Sequence, residues 1–102
     1  MKKIINGKIY DTTTAQEIAS DGFSSPGDFH YWEEILYRTP KGNYFFYGEG
    51  GPMSHYAKNV GNNTTSGSST IWAVSEEEAQ KWLAKVSPNK ALELFPGLFE
   101  EA

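Results

Sequence analysis

The fold of this chain is decided by residues 37–56, which read YRTPKGNYFFYGEGGPMSHY. Residues 40–43 have the composition of a tight turn, because proline suits its second position and glycine supplies a positive φ. This turn separates a strand predicted over residues 31–39 from an aromatic return strand over residues 44–47. So much aromatic surface would aggregate if it were exposed. We therefore predict a central, covered β-hairpin.

Further strands are expected on both sides of this hairpin. Residues 4–10 predict a small hairpin, because Asn6-Gly7 is a preferred pair for a two-residue type I′ turn. Residues 70–74, TIWAV, are rich in β-branched and aromatic side chains and predict a further main strand. These segments together indicate an antiparallel sheet of three or four strands.

The clearest helix signal is the capping box formed by Ser75 and Glu78, which begins a helix predicted over residues 75–86. Its apolar stripe should pack on the sheet, with Trp82 and Trp72 both largely buried. A second short helix is predicted over residues 88–95. A third is predicted over residues 13–20, because Asp11 and the threonines after it are good N-terminal caps.

The segments between these elements are predicted as loops. Residues 23–29 carry two phenylalanines and are expected to pack down onto the protein. Residues 52–58 begin with proline and predict one or two helical turns. Residues 59–69 are rich in Gly, Asn, Ser and Thr and predict a mobile surface loop. Leu98 and Phe99 are expected to fold back onto the core.

These patterns predict an α+β domain, with a small antiparallel sheet of three to four strands and helices packed on one face. At 102 residues the chain is expected to form a single domain, residues 1–102. It contains no cysteine, which excludes disulfides, thiolate metal sites and cysteine catalysis. The sequence has no signal-peptide core and no apolar run long enough to span a bilayer, so we expect a cytoplasmic protein without a membrane partner.

The chain is mildly acidic, with a net charge of −4 and a pI of about 5.1. Duplex-binding proteins usually carry a basic patch, and none is visible here, so no direct nucleic-acid partner is expected. An acidic protein can instead approach a basic protein surface, such as the nucleic-acid channel of another protein. Mild acidity is also ordinary for a soluble domain.

The glycine-rich corner, residues 48–56, is the first candidate binding site. Its glycine N–H groups, with Glu49, His55 and Tyr56, would suit a small or anionic ligand if they form a cleft. The segment lacks the spacing of a P-loop or a dinucleotide site, and a tight turn that requires glycine explains it more simply. A metal-dependent hydrolase using Glu49 and His55 is a further alternative.

No arrangement of residues predicts catalysis or a cofactor, so we expect neither an enzyme nor a bound metal. His30, His55, Asp28 and Glu49 have no diagnostic metal-ligand spacing. Adjacent carboxylates in a strand point to opposite faces, which makes Glu33 and Glu34 a poor acid–base pair. They remain candidates for binding a partner, as do the tyrosines expected at an interface. Those tyrosines are Tyr37, Tyr44, Tyr47 and Tyr56.

Four motifs in this chain resemble a family of short open reading frames found on plasmids, integrative elements and phages of Firmicutes. The motifs are GKIYDT-x-TA at residues 7–15, LYRT-x-KGNYF at 36–45, GEGGPMS-x-YA at 48–57 and SEEEA at 75–79. The resemblance covers most of the chain, from about residue 4 to residue 86.

Members of that family mostly carry no assigned function, and no catalytic residues transfer from them to this chain. Some small proteins of that mobile-gene setting are anti-CRISPR proteins, which inhibit type II effector nucleases. The resemblance therefore implies a small interaction protein that binds a host protein such as a CRISPR effector complex. Exposed tyrosines and acidic groups would make that contact, namely the carboxylates of Glu33, Glu34 and Glu49 and the turn over residues 75–78.

Overall fold

A computed structural model describes residues 1–61 and 64–102 of the chain, with side chains described outside residues 58–66. It contains a four-stranded antiparallel sheet, two two-stranded ladders and two helices, which confirms the predicted α+β class. The strands are β1 (Lys2–Ile5), β2 (Lys8–Asp11), β3 (Gln16–Phe23), β4 (Trp32–Arg38), β5 (Tyr44–Gly50), β6 (Lys58–Gly61), β7 (Thr64–Ser66) and β8 (Ser68–Val74). The helices are α1 (Glu76–Val86) and α2 (Pro88–Leu94).

The predicted central hairpin is present as β4 and β5, in the middle of the sheet order β3-β4-β5-β8. Its turn is closed by Thr39, whose carbonyl accepts from the Gly42 N–H and whose hydroxyl accepts from the Asn43 N–H. Gly42 has a φ of 89°, a conformation that glycine adopts without strain. Phe45 and Leu36 are fully buried in this hairpin, so its aromatic run builds the core as expected.

One face of the sheet, the hairpin face, is covered at one end by β1 and β2. Asn6 and Gly7 have positive φ values in the turn between these strands, which confirms the predicted Asn-Gly hairpin. Tyr10 of β2 is buried and meets Phe45 edge to face, with ring centroids 5.4 Å apart. Ile71 of β8 completes this small core cluster.

The opposite face, the helix face, is covered by α1, whose capping box is present as predicted. Ala79 and Leu83 are fully buried against the sheet. Trp82 lies edge to face on Phe46, with ring centroids 4.9 Å apart. Trp72 stacks on the same phenylalanine. Both tryptophans are only partly buried, because they lie at the margin of the core cluster and keep part of their rings in solvent.

The helix predicted over residues 13–20 is wrong, because residues 16–23 form strand β3. Asp11 does act as a cap, but its carboxylate accepts from the N–H and hydroxyl of Thr13 and closes a turn there. Thr, Ser, Asp and Gly favour helix weakly, whereas pairing with β4 gives this segment backbone hydrogen-bond partners along one side. Ile18 is the residue that this strand buries.

Several loop predictions also need correction. Phe23 and Phe29 do not pack down, since they are 54% and 68% exposed. Residues 51–57 form two successive β-turns, in which the Ser54 N–H donates to the Gly51 carbonyl and the Ala57 N–H to the Ser54 carbonyl. Lys58 begins a strand instead of ending a helix.

The loop predicted over residues 59–69 is wrong at both of its ends. Strands β6 and β7 pair with each other, and Ser68 begins β8. Residues 62 and 63 of that prediction lie outside the described residues. Leu98 and Phe99 do not reach the core, because they lie on the outer side of α1, beside Ala84.

Candidate functional site

Four carboxylates lie at one end of the sheet, where β3 ends, β4 begins and β5 ends, with two on each face. They form two directly opposed pairs, Glu33 with Glu49 and Asp21 with Glu34. We call these four residues the acidic end of the sheet. Like charges directly opposite each other in an antiparallel pair are destabilising, so this arrangement costs the isolated domain free energy.

On the hairpin face, two tyrosine hydroxyls hold Glu49 in place. Tyr31 donates to Oε1 at 2.8 Å and Tyr47 donates to Oε2 at 3.1 Å. Burial, the hydrogen bond to Glu49 and the nearby negative charges of Glu33 and Glu49 raise the pKa of Tyr31 to about 12. Burial also raises the pKa of Tyr47. Both hydroxyls therefore remain donors at neutral pH and fix the orientation of the Glu49 carboxylate.

On the helix face, Tyr56 performs the same role for Glu34. Its hydroxyl donates to Glu34 Oε2 at 2.9 Å, and burial together with this hydrogen bond raises its pKa well above the ordinary value. The exposed His55 ring lies against Tyr56, with centroids 4.2 Å apart, and meets Trp32 edge to face at 5.5 Å. The acidic end is thus bordered by aromatic rings on both faces.

The glycine corner is filled by the protein itself. A Cβ built on Gly48 would lie 2.7 Å from Cε1 of Tyr56, and one on Gly51 would lie 2.8 Å from the Phe29 carbonyl oxygen. The corner N–H groups are also used internally, since Gly51 donates to Tyr31 and Met53 donates to Phe29. The glycines here allow close packing, and these N–H groups do not converge on a space for an anion.

The predicted site residues separate into three groups. Glu33, Glu49 and Tyr47 lie together on the hairpin face. Glu34, His55 and Tyr56 lie together on the helix face. Tyr44 belongs to the core, and the partly buried Tyr37 packs against the core.

These last two tyrosines are held by other rings and lie away from the acidic end. Tyr37 stacks on Phe45 with centroids 5.2 Å apart, and Tyr44 is 6% exposed. Sequence reasoning did not include Tyr31 and Asp21 among the site residues. The signal for Tyr31 was its position two residues before Glu33, which puts both on one face of a strand. Asp21 was missed because the first part of its strand, β3, was predicted as a helix, so its position opposite Glu34 could not be foreseen.

The hydrolase alternative requires Glu49 and His55 to act together, and the structure places them on opposite faces of the sheet. Glu49 bonds Tyr47, which packs with the Phe45 cluster, whereas His55 packs on Tyr56 beside Trp72. Across residues 1–61 and 64–102, no three His, Cys, Asp or Glu side chains converge in a way that suits a metal ion. This pair therefore does not form one site.

The other end of the sheet carries basic side chains together with the acidic first turn of α1. A cleft of about 490 Å³ there lies between the β1–β2 hairpin and the β4–β5 turn. Lys8 and Lys41 line it, together with Tyr10 and Thr39. None of the predicted site residues lines this cleft.

Comparisons with known proteins give no family. No protein-family model, no curated protein and no solved structure matches the chain. No helix within the described ranges has the length and apolar character needed to cross a membrane.

Proposed function

We propose that this protein acts by binding a basic surface of another protein through the acidic end of its sheet. The observation that carries the proposal is that two pairs of carboxylates are directly opposed, Glu33 with Glu49 and Asp21 with Glu34. Each pair is unfavourable in the free domain. A lysine or arginine placed between two such carboxylates would relieve the repulsion, so binding gains free energy that a single surface carboxylate does not offer.

The geometry around Glu49 also favours binding. Its two oxygens are already held by the hydroxyls of Tyr31 and Tyr47, at 2.8 and 3.1 Å. Ordering a flexible side chain at an interface costs about 0.5–1.5 kcal/mol, and a preorganised carboxylate avoids part of that cost. Carboxylate oxygens have further lone pairs, so Glu49 can still accept from an incoming guanidinium.

The proposed identity of the partner rests on the resemblance to short open reading frames of Firmicute mobile elements. We propose that the partner is a type II CRISPR effector nuclease and that the chain is an anti-CRISPR inhibitor. Such an effector holds its guide–target duplex in a positively charged channel, which is the kind of surface that suits the acidic end. The proposed role requires no catalytic residue, no cofactor and no direct contact with nucleic acid.

The test is a target-cleavage assay with a Firmicute type II effector and its guide RNA, combined with a pull-down of the effector complex. The informative variant is Glu33→Gln/Glu49→Gln, which removes two charges but keeps side-chain size. The matched control is Glu100→Gln/Glu101→Gln, which changes net charge equally at exposed C-terminal positions.

We expect the native chain and the control to co-purify with the effector and to suppress cleavage. The Glu33/Glu49 variant should bind at least about tenfold more weakly, and native binding should weaken as salt rises. Intact cleavage with no co-purification for the native chain would refute the proposed partner. Equal inhibition by both double variants would refute the proposed surface.

A further inference from the structure

Strand β8 forms one edge of the four-stranded sheet, since it pairs with β5 alone within that sheet. Its sequence, SSTIWAV, contains no charged residue and no proline. Edge strands usually carry charges, prolines or bulges that prevent pairing with another chain. The opposite edge, β3, shows these features, because it carries Glu17 and Asp21 and a register shift after Glu17.

The ladder pattern shows which backbone groups of β8 point outward. The Thr39 N–H donates to the Asn43 carbonyl at the end of the β4–β5 pair, so every second residue along β5 from Asn43 bonds to β4. The intervening residues, which include Phe46, bond to β8. Phe46 pairs with Trp72, so the backbone N–H and C=O of Trp72 point toward β5. The backbone N–H and C=O of its two neighbours in the strand point away from the sheet.

The outward residues of β8 are therefore Ser69, Ile71 and Ala73. The contact made by Lys3 agrees with this, since its Nζ donates to the Ile71 carbonyl oxygen at 3.3 Å from outside the sheet. Among the described residues, no other hydrogen bond reaches the outward backbone groups of these three. The β8 edge thus offers a row of backbone N–H donors and carbonyl acceptors, and the Lys3 side chain lies at its centre.

We propose that two copies of this chain pair through their β8 strands, antiparallel about a two-fold axis at Ile71, to form one continuous eight-stranded sheet. In this register Ile71 lies opposite its own copy, and Ser69 lies opposite Ala73 of the second copy. All three outward residues then exchange backbone hydrogen bonds. Because β8 carries no charge, the pairing places no like charges opposite each other within the strand.

The helices do not lie along the β8 edge, whereas β1 contacts β8 and brings Lys3 to it, so pairing with a second copy must displace this side chain. Helix α1 begins next to the end of β8 and runs across the sheet toward β3, where Ala79 and Leu83 share a cluster with Ile18. Lys3 must release the Ile71 carbonyl when the strands pair. This makes Lys3 a protecting lysine of the kind found on natural sheet edges, and it limits the strength of association. The dimer does not rest on the proposed function.

The first test is sedimentation equilibrium of the full chain over a wide concentration range. We expect reversible association to twice the mass. Ala73→Pro removes one outward N–H and spares the bonds to β5, so it should weaken dimerisation about tenfold or more while circular dichroism shows an intact fold. Lys3→Gln should strengthen dimerisation, whereas Lys85→Gln, an exposed change on α1, should leave it unchanged.

The register has its own test because the chain contains no cysteine. Residues opposite each other in a bonded antiparallel pair have Cα atoms about 5.5 Å apart, which a disulfide can bridge. Ser69→Cys/Ala73→Cys should therefore form a covalent dimer on oxidation. Either single variant should not, because its two cysteines would be about 13 Å apart along the strands.

Several results would overturn the proposal. One is a monomer at every concentration together with no disulfide-linked double variant. Another is a dimer that Ala73→Pro leaves equally strong, since that dimer would use another surface. A third is a disulfide in the single variants, which would indicate a different register or random encounter.

Discussion

Replacing Gly48 with alanine should strongly perturb the acidic end, because Tyr56 packs directly over this glycine. The new Cβ would lie 2.7 Å from Cε1 of the Tyr56 ring, a separation that real Cβ atoms essentially never show. The obstructing atoms belong to the far end of a side chain, so the tyrosine will swing away while the β5 backbone stays in place. That movement breaks the 2.9 Å hydrogen bond from Tyr56 to Glu34.

The cost follows from what Tyr56 loses. A hydrogen bond to a charged acceptor contributes about 1.5–3 kcal/mol, and exposing a ring that covered a buried glycine adds to it. We expect Gly48→Ala to lower the free energy of unfolding by about 2–4 kcal/mol, which overlaps the upper part of the range of about 1–3 kcal/mol typical of overpacked sites. Typical domains have about 5–15 kcal/mol in total, so the loss is easily measured.

A double-mutant cycle with Tyr56→Ala tests the reasoning by urea denaturation. Without the ring, Gly48→Ala meets no obstruction and should cost less than about 0.5 kcal/mol, or stabilise slightly by restricting the unfolded chain. The two substitutions should therefore show an interaction energy of at least about 1.5 kcal/mol. If Gly48→Ala costs the same in both backgrounds, Tyr56 does not pack on Gly48 as described.

Three further predictions concern stability. Ser75→Ala should lower the free energy of unfolding by about 1 kcal/mol, measured from the urea midpoint, because it removes the N-cap of α1. Glu33→Gln should raise it by about 0.5 kcal/mol at low salt by removing the repulsion with Glu49, and the gain should shrink at 1 M salt. Stability should fall as the pH rises from 10 toward 12, because the unfolded state releases the Tyr31 proton first, and Tyr31→Phe should make the decline shallower across a urea series at those pH values.

Much of the fold was predictable because its signals are local. Ser75 and Glu78 are three residues apart, and Asn6-Gly7 requires only its own backbone conformation, so both features could be read directly. The incorrect helix over residues 13–20 shows the limit of local signals. The cap at Asp11 is real, but pairing with β4 decides the structure of the residues after it, and such pairing is not encoded in the segment alone.

The candidate site was predictable only in part, for a related reason. Glu33 and Glu49 were both identified, but their direct opposition depends on the β4–β5 register, which links residues far apart in the sequence. Tyr37 and Tyr44 were expected at an interface because tyrosine is common there. Their position beside the β1–β2 hairpin and α2 puts them in or against the core instead, and composition cannot distinguish these two environments.

The two proposals together predict how many partners one assembly holds. Glu49 lies opposite Ser69, so the acidic end sits beside one end of β8. Antiparallel pairing brings Ser69 of one copy next to Ala73 of the other, which places the two acidic ends at opposite ends of the shared sheet. A dimer should then bind two effector molecules without the two binding sites obstructing each other, and the complex should contain two copies of each protein.

Ala73→Pro should convert this complex to one copy of each protein while inhibition persists, because the acidic end is unchanged. If the native complex holds a single copy of this chain and the Ser69→Cys/Ala73→Cys dimer fails to inhibit, the partner occupies the β8 edge itself, and the binding surface is the edge of the sheet and not its acidic end.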